Sequence, residues 1–438
     1  MKILYVLIAL IFLKSCSFDN KTGIWNSEQS ISKKNDIYKE FKTFTLKEEQ
    51  FNEIIPFNKN FNFKLSEVSS NINWNDPYYG QGNNLDNFLI NGLDNISLKS
   101  KKLSRNNLNQ FLLHDENNLI INDNKGNVIV YSIIDKEIIS KFNFYKKKYK
   151  KFDKKLNLLV ENKIIYINDN IGYFYAYDYK NNKIIWAKNL NIPLRSNIKI
   201  YKDNLFLSNQ DNSLLVFDKR NGNLIKEIPT EETILKNQFI NNISSSKSNI
   251  LFLNSYGSLY SIDIEDLKLN WFLNLNQSFE TNSRNIFDGI EVISHKDTII
   301  ISSNYVTFII DANSGNILRK FNFSSKIAPI INNNLALFFT KNNLLIAVNL
   351  KNNQIIYSYN VIEQLNENVK FKKNINFIKM FLANDQILLI SNSHVLKFDI
   401  NGKFKSFTKL SNKMNSQPII VNKSILYLNN RNKLIVLN

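Results

Sequence analysis

Few side chains in this sequence have the type and spacing that catalysis or metal binding requires. Cys16 is the only cysteine among 438 residues, which excludes disulfides and cysteine-based metal sites. The three histidines, His114, His295 and His394, lie far apart in the chain and lack the spacing of metal ligands. No nucleophile elbow, phosphate-binding loop or zinc-protease motif is present. The sequence therefore favours a protein without catalytic residues, cofactor or metal, and it leaves one reactive group, the thiol of Cys16.

The residues before Cys16 indicate what this thiol does. Lys2 precedes an apolar run over residues 3–13 that is too short to span a bilayer, so residues 1–15 are predicted to be a signal peptide. The run ends in Leu13-Lys14-Ser15-Cys16, which resembles the lipobox of bacterial lipoproteins. The resemblance implies lipid attachment to Cys16 and anchoring in a membrane. In bacterial lipoproteins an Asp directly after the lipidated cysteine implies retention at the inner membrane. This chain has Ser17 at that position, which implies localisation to the periplasmic face of the outer membrane. An ordinary signal peptide with a free thiol stays open as the alternative.

Composition and charge narrow the possible partners. The net charge is +18, but Lys and Arg are spread thinly along the chain, and Lys146 to Lys155 is the densest cluster. Aromatic residues within or beside this cluster are limited to Tyr145, Tyr149 and Phe152, so we expect a solvated loop rather than a nucleic-acid surface. No nucleic-acid partner is predicted.

A repeat follows the first quarter of the chain. Seven apolar, alternating runs end in an acidic or amide residue and are separated by intervals of 38 to 50 residues. The seven end positions are Asp135, Asp178, Asp218, Asp263, Asp311, Asn349 and Asp399. Four short strands per interval are typical of a β-propeller blade. The sequence thus predicts an all-β propeller over residues 74–438, preceded by a lipidated cysteine and tether over residues 16–73.

The chain ends indicate how the ring closes. The last run ends at Asn438, 39 residues after Asp399, and its blade lacks an outermost strand. The alternating segment from Ile96 to Leu103 precedes the first repeat and can supply that strand. Joining both ends of the chain in one blade leaves no open seam. Eight blades are predicted, with seven as the fallback if one repeat is irregular.

Several repeat residues are of the types that form tight turns. Asp218 and Asp311 stand four residues before Gly222 and Gly315, respectively. An Asp can accept hydrogen bonds from backbone amides, and the Gly can take a positive φ. These acids are therefore predicted to form turns rather than to bind metal.

One repeat resembles a motif of quinoprotein-like propellers. Residues 176–186, from Ala176 through Asp178 to Trp186, are similar to the tryptophan-docking pattern A-x-D-x-x-x-G-K-x-x-W, with Asn182 in place of the glycine. A second copy contains Asp263 and Trp271, with Leu267 at the glycine position. The resemblance implies that Trp186 and Trp271 pack between neighbouring blades. Other repeats carry Lys226, Arg319 or Tyr357 at the Trp position.

A lipoprotein with such repeats resembles the BamB family of the outer-membrane barrel assembly machinery, over residues 74–438. The resemblance implies a non-enzymatic scaffold that binds POTRA domains of a BamA-like protein and could contact nascent outer-membrane proteins. Ile192, Leu194 and Arg195 resemble the family's partner-binding Leu-x-Leu-Arg loop. Asp288 matches the second acid of its Asp-x-Asp loop. The resemblance implies partner binding by these four residues.

Two other functions remain as alternatives. A quinoprotein dehydrogenase of the same fold would hold a quinone and a metal ion among clustered acids, often beside a vicinal disulfide that a chain with one cysteine cannot form. A glycan-binding propeller would place aromatic residues on loops of one face, whereas most aromatics here lie inside the predicted strands, which favours core packing.

Substitution of the predicted lipidation site tests the N-terminal assignment. Cys16→Ser should leave the propeller folded but release the protein from membranes, because no acyl chains would then hold it. Fractionation of cells that express either form checks this. Retention of the Cys16→Ser protein in the outer-membrane fraction, at a low level of partner protein, would contradict the lipid anchor.

Overall fold

The computed structural model describes residues 16–18, 25–27, 50–58, 61–145, 149, 151–232, 241–278, 287, 289–303, 305–369 and 375–438. The chain forms two compact units, residues 1–49 and 50–438. In the first unit, strand Cys16–Phe18 pairs antiparallel with strand Trp25–Ser27. The predicted signal peptide, residues 1–15, lies outside the described residues. No helix among the described residues is long and apolar enough to span a membrane.

The second unit is a ring of eight four-stranded antiparallel blades, which we number 1 to 8; the strands of blades 1 to 7 follow chain order. The short strand Asn87–Phe88 adds a fifth, parallel strand to the sheet of blade 7. Blade 1 contains Leu113–Asp115, Asn118–Asn122, Asn127–Ser132 and Glu137–Asn143. Blade 2 contains Leu156–Glu161, Ile164–Asp169, Tyr173–Asp178 and Lys183–Asn189. Blade 3 contains Lys199–Tyr201, Asn204–Ser208, Leu214–Asp218 and Leu224–Ile228. Blade 4 contains Asn242–Ser246, Asn249–Leu253, Ser258–Asp263 and Leu269–Asn274.

The remaining blades follow the same plan. Blade 5 contains Ile293–His295, Thr298–Ser302, Thr307–Asp311 and Ile317–Phe321. Blade 6 contains Ile330–Asn332, Leu335–Phe339, Leu344–Asn349 and Gln354–Asn360. Blade 7 contains Phe377–Ala383, Gln386–Ser391, His394–Asp399 and Phe404–Lys409. Blade 8 contains Ile419–Val421, Ser424–Leu428, Lys433–Leu437 and the early strand Ile96–Lys102. A 3-10 helix, Leu275–Ser278, follows blade 4, and an α-helix, Val361–Val369, joins blades 6 and 7.

Burial explains why the repeat folds in this way. The second and third strands of each blade are almost wholly buried, so they are continuous apolar runs, as in sheets covered on both faces. The fourth strands are mostly exposed or half-buried because they form the outer rim, with single buried residues such as Ser140 and Trp186. First strands of neighbouring blades contact one another and surround the axis. The predicted eight-bladed, all-β propeller is confirmed, and the seven-bladed fallback is not needed.

Blade 8 closes the ring as the sequence predicted. Strand Ile96–Lys102 pairs antiparallel with Lys433–Leu437 at the end of the chain. The Ser100 hydroxyl also accepts a hydrogen bond of 2.8 Å from the backbone N–H of Leu434, 334 residues away in the chain. Asn95 and Asn438 exchange backbone hydrogen bonds of 2.9 and 3.0 Å just beyond the strands. Both ends of the propeller sequence are therefore fixed in one sheet.

Residues 71–91, which we call the inner segment, visit every blade in order around the axis. The segment pairs with blade 8 through Asn71, passes blades 1 to 7, and returns to blade 8 through Asn91. The contacts in between are Trp74 with His114, Asn75 with Val160, Gln81 with Ile200 and Ser245, Gly82 with Ser294, Asn84 with Ile331, and Asn87–Phe88 with Leu382–Ala383. Most of these bonds involve the backbone of a first strand. The inner segment thus makes one circuit inside the ring.

Residues 50–70 are also part of the compact unit that contains the ring. Ile55 exchanges backbone hydrogen bonds of 3.0 and 2.9 Å with Ser358 in the outer strand of blade 6. Phe57 and Phe63 stack on each other and contact the Tyr357 ring edge to face. The segment ends beside the first hairpin of blade 6, where Ser66 bonds to Asn332. Residues 50–73, assigned to the tether from sequence, therefore pack along the propeller.

A buried ion pair joins the inner segment to blade 3. The ammonium of Lys199 lies 2.8 Å from a carboxylate oxygen of Asp76, and their side chains are 1% and 6% exposed. The second Asp76 oxygen accepts hydrogen bonds from the backbone N–H groups of Tyr78 and Tyr79. Burial lowers the pKa of Lys199, and the adjacent carboxylate acts in the opposite direction. Each charge is thus satisfied only while the inner segment stays in place.

Removal of one partner tests how strongly this pair constrains the fold. Asp76→Asn should lower the free energy of unfolding by about 3 kcal/mol or more, because it leaves the Lys199 ammonium buried without a counter-charge. Glu265→Gln is the matched control, since it breaks the exposed pair with Lys202 at the rim of the ring. That control should leave stability nearly unchanged. Equal effects in urea unfolding would contradict a special role for the buried pair.

Candidate functional site

The ring has two faces that differ in which connections they carry. Hairpins between strands 1 and 2 meet hairpins between strands 3 and 4 on one side, as the hydrogen bond from the Lys219 N–H to the Asp203 carbonyl shows in blade 3. We call this side the turn face. The opposite side, the loop face, carries the hairpins between strands 2 and 3 and the connections between blades. There the Gln210 N–H donates to the Pro193 carbonyl across 2.8 Å.

The connection Ile192 to Arg195 lies on the loop face between blades 2 and 3. It is held by its backbone: the Leu194 N–H donates to the Asp169 carbonyl at 2.9 Å, and the Arg195 N–H donates to the Ser208 carbonyl at 3.0 Å. Leu194 also forms a single bridge with Asn209. The backbone of this connection is therefore fixed on both sides by the second hairpins of blades 2 and 3.

The three side chains of this connection differ in exposure. Leu194 is 2% exposed and packs in the core between blades 2 and 3 with Leu159 and Leu207. Burial leaves this side chain little surface for a partner, so Leu194 holds the connection on the ring, and partner binding by Leu194 stays a prediction. Ile192 and Arg195 are half-buried and reach solvent. Partial burial lowers the pKa of the Arg195 guanidinium, which nevertheless stays protonated at neutral pH.

The second predicted contact residue, Asp288, lies outside the described residues. Its neighbour Phe287 is 3% exposed and packs in the core of blades 4 and 5. A Cβ atom on Gly257 would lie 2.5 Å from the Phe287 ring, which explains why the hairpin of blade 4 needs a glycine at that point. Partner binding by Asp288 stays a prediction.

The residues of the predicted docking motif meet between neighbouring blades. The indole N–H of Trp186, in blade 2, donates to the Lys219 carbonyl in the last turn of blade 3 at 2.9 Å. The indole N–H of Trp271, in blade 4, donates to the Ala312 carbonyl of blade 5 at 3.1 Å. Each ring also covers a glycine of the receiving turn, Gly222 or Gly315. Both Trp side chains therefore link a fourth strand to the next blade.

The turns themselves are built around the repeat acids. The carboxylates of Asp178, Asp218, Asp263 and Asp311 accept backbone N–H hydrogen bonds from residues two or three positions ahead, at 2.7 to 3.1 Å. Gly222 and Gly315 have φ of 66° and 75° and donate to the Asp218 and Asp311 carbonyls. The acids are thus occupied in turns. Among the described residues, no group of three or more His, Cys, Asp or Glu side chains is placed to hold a metal ion.

Blades without a Trp use other side chains for the same contact. The Lys226 ammonium donates to the Leu267 carbonyl of the next blade at 2.7 Å. Tyr357 covers Gly402, where an added Cβ would lie 2.5 Å from its ring. The Ser140 hydroxyl donates to the Asn182 side-chain carbonyl at 2.9 Å. The sequence did not identify Ser140 as a docking residue. Ser140 occupies the position in blade 1 that Trp186 occupies in blade 2, and this equivalence is the signal that could have identified it.

Comparisons with known proteins agree with this geometry. A family model described as outer membrane protein assembly factor BamB matches residues 124–359, more than half of the chain. The chain belongs to this family. The resemblance noted from the sequence is thereby confirmed. A search of curated protein sequences finds no match.

Solved structures similar to this chain include one BamB protein and two enzymes. BamB from Moraxella catarrhalis has a TM-score of 0.59 at 11% identity, covering 78% of this chain and 98% of that chain. A quinohemoprotein alcohol dehydrogenase from Pseudomonas putida HK5 has a TM-score of 0.57 at 8% identity, covering 82% and 76% of the two chains. The corresponding enzyme from Comamonas testosteroni has a TM-score of 0.56 at 8% identity, covering 81% and 76%. At these identities the structural similarity concerns the fold alone.

The close contact between Trp186 and Gly222 can be tested by adding one methyl group. Gly222→Ala combines the cost of a positive φ, roughly 1 kcal/mol, with displacement of the Trp186 ring, which lies 2.4 Å from the new Cβ. Gly80→Ala is the control, because Gly80 has a φ of 64° but no atom within 4 Å of the added Cβ. We expect Gly222→Ala to lose about 1–3 kcal/mol more in chemical unfolding. Equal losses would show that the ring does not constrain the turn.

Proposed function

We propose that this protein is a non-enzymatic scaffold lipoprotein that helps outer-membrane β-barrel proteins assemble. In this proposal a lipid on Cys16 holds the propeller at the periplasmic face of the outer membrane. The loop face binds POTRA domains of a BamA-like barrel assembly protein. The observation that carries the proposal is membership of the BamB family together with a backbone-fixed Ile192–Arg195 connection on the loop face.

Physical features of the connection support a role in partner binding. A guanidinium on a fixed backbone can pair with a carboxylate through two hydrogen bonds and loses little conformational entropy on binding. Ile192 adds partly exposed apolar surface beside it. Leu194 packs in the core between blades 2 and 3 and so fixes the connection on the ring. Such an arrangement suits a protein–protein contact dominated by a few residues.

An enzymatic function has less support from the same features. The inner segment runs around the axis and uses the backbone edges of the first strands. The repeat acids lie in turns at the rim, where their oxygens already accept backbone hydrogen bonds. Quinohemoprotein dehydrogenases nevertheless share the fold, and a fold does not fix a function. Spectroscopy of the purified protein for a quinone provides the direct test of that alternative.

Charge reversal of Arg195 tests the proposed docking loop. Arg195→Glu would replace a favourable charge pair by a repulsive one and should weaken association with the BamA-like protein by about 2 kcal/mol or more. Thermal melting should change little, because backbone hydrogen bonds hold the connection. The measurement is recovery of the partner from solubilised outer membranes.

The control for this experiment is Lys403→Glu, which reverses an exposed charge in a turn of blade 7 on the opposite face. Equal recovery with wild type and both variants would show that the docking loop is assigned incorrectly. Loss in both variants would indicate diffuse attraction from the +18 charge, which added salt would abolish for all forms alike. Absence of the partner from the wild-type sample would contradict the scaffold function itself.

A further inference from the structure

We infer that the partner surface on the loop face extends from Arg195 onto the connection between blades 1 and 2, with Phe152 as its apolar anchor. The surface consists of Lys151, Phe152, Lys155, Ile192 and Arg195, and we call it the basic–aromatic patch. Its occupant is a protein domain with an acidic surface around a small apolar recess. This inference rests on the proposed function and names the chemistry of its partner site.

The two connections of the patch form one continuous surface. The hairpin from Asp169 to Gly172 in blade 2 lies between them and bonds to both. On one side, the Asn170 side-chain carbonyl accepts from the Lys155 N–H at 2.8 Å. On the other, the Asp169 carbonyl accepts from the Leu194 N–H at 2.9 Å. A Cβ on Gly172 would lie 2.8 Å from the Ile192 carbonyl, so these backbones are in close contact.

Phe152 lies in a turn that also buries the nearby Lys154 side chain. Lys154 is 4% exposed; its ammonium donates to the Tyr149 carbonyl and lies over the Tyr145 ring, 5.4 Å from the centroid. The Phe152 N–H donates to the same Tyr149 carbonyl at 3.1 Å. In this turn the Phe152 side chain is 64% exposed, and its ring contacts the Tyr149 ring edge to face, with a centroid distance of 6.4 Å. An exposed phenyl ring on a fixed turn is typical of an interface anchor.

The charges around Phe152 select the partner. Lys151 and Lys155, which precede and follow Phe152 in the sequence, are exposed, and Arg195 lies across the Asp169–Gly172 hairpin. The single acid of the turn, Asp153, is already paired with Lys125 at 2.8 Å. A positive rim around one apolar side chain is complementary to carboxylates around an apolar recess. An anionic lipid surface shares the charge but would not require the continuity with Arg195, so we commit to a protein partner.

The experiment measures recovery of the BamA-like protein with the full-length lipidated chain. Phe152→Ala should reduce recovery at least about fivefold, and Lys155→Glu should reduce it further as salt is lowered, because like charges repel more strongly without screening. Tyr305→Ala is the matched control. Tyr305 is an exposed aromatic residue, 61% accessible, on the loop face of blade 5, outside the patch. Its loss should leave recovery at the wild-type level.

The outcomes separate this inference from the proposed function. Loss with Phe152→Ala and with Arg195→Glu, but not with Tyr305→Ala, supports the extended patch. Loss with Arg195→Glu alone overturns the extension and leaves the docking loop intact. Failure of the wild-type chain to recover the partner overturns the proposed function.

A lipid role for the patch has its own test. The Cys16→Ser chain is mixed with vesicles of phosphatidylglycerol, or of phosphatidylcholine as the neutral control, and bound protein is measured by flotation. We expect no difference between Phe152→Ala and the parent chain. Binding to the anionic vesicles that Phe152→Ala abolishes, with partner recovery unchanged, would overturn the inference and assign the patch to the membrane surface.

Discussion

The unpaired edges of the first strands are the constraint on which the rest of the ring depends. Eight first strands surround the axis, and each has backbone N–H and C=O groups on the side that faces away from its own sheet. Such groups need partners when they are shielded from water. The inner segment supplies many of them, through Trp74 to blade 1, Gln81 to blades 3 and 4, and Gly82 to blade 5. The Asp76–Lys199 pair fixes the register of this circuit, since a shifted segment would leave a buried charge.

The side chain that links one blade to the next depends on the residue at one position of the turn between strands 3 and 4 of the receiving blade. Where the turn has a glycine at positive φ, as at Gly222, Gly315 and Gly402, the preceding blade places an aromatic ring on it. Where Leu267 or Asn182 takes the same backbone conformation, the added side chain leaves no room for a ring. The preceding blade then offers Lys226 or Ser140, which makes a hydrogen bond instead. The two positions therefore vary together, which explains why the motif looks degenerate in sequence.

The repeat, the closing strand and the acidic turns could be predicted from sequence because each recurs or alternates. The path of residues 50–91 could not. That segment has no period, and many of its contacts are hydrogen bonds from amide side chains to backbone carbonyls of distant blades, as for Asn71, Gln81 and Asn84, which no local pattern predicts. The burial of Leu194 was missed for a different reason. A Pro-Leu-Arg sequence does not show which side chain faces the core, and only the bridge between Leu194 and Asn209 fixes that direction.

The division between the two faces also bears on recognition. On the turn face, the repeat turns receive the docking side chains of neighbouring blades, and Lys64 and Ser66 bond to the first hairpin of blade 6. Connections on the loop face also contribute core side chains, Leu194 and Phe287 among them, but Ile192, Arg195 and Phe152 on the same face reach solvent. The blade 1–2 connection nevertheless buries Lys154 beneath its turn, at the desolvation cost of an ammonium. The Lys154 ammonium and the Phe152 N–H both donate to the Tyr149 carbonyl, so the buried side chain is part of the same turn that carries Phe152.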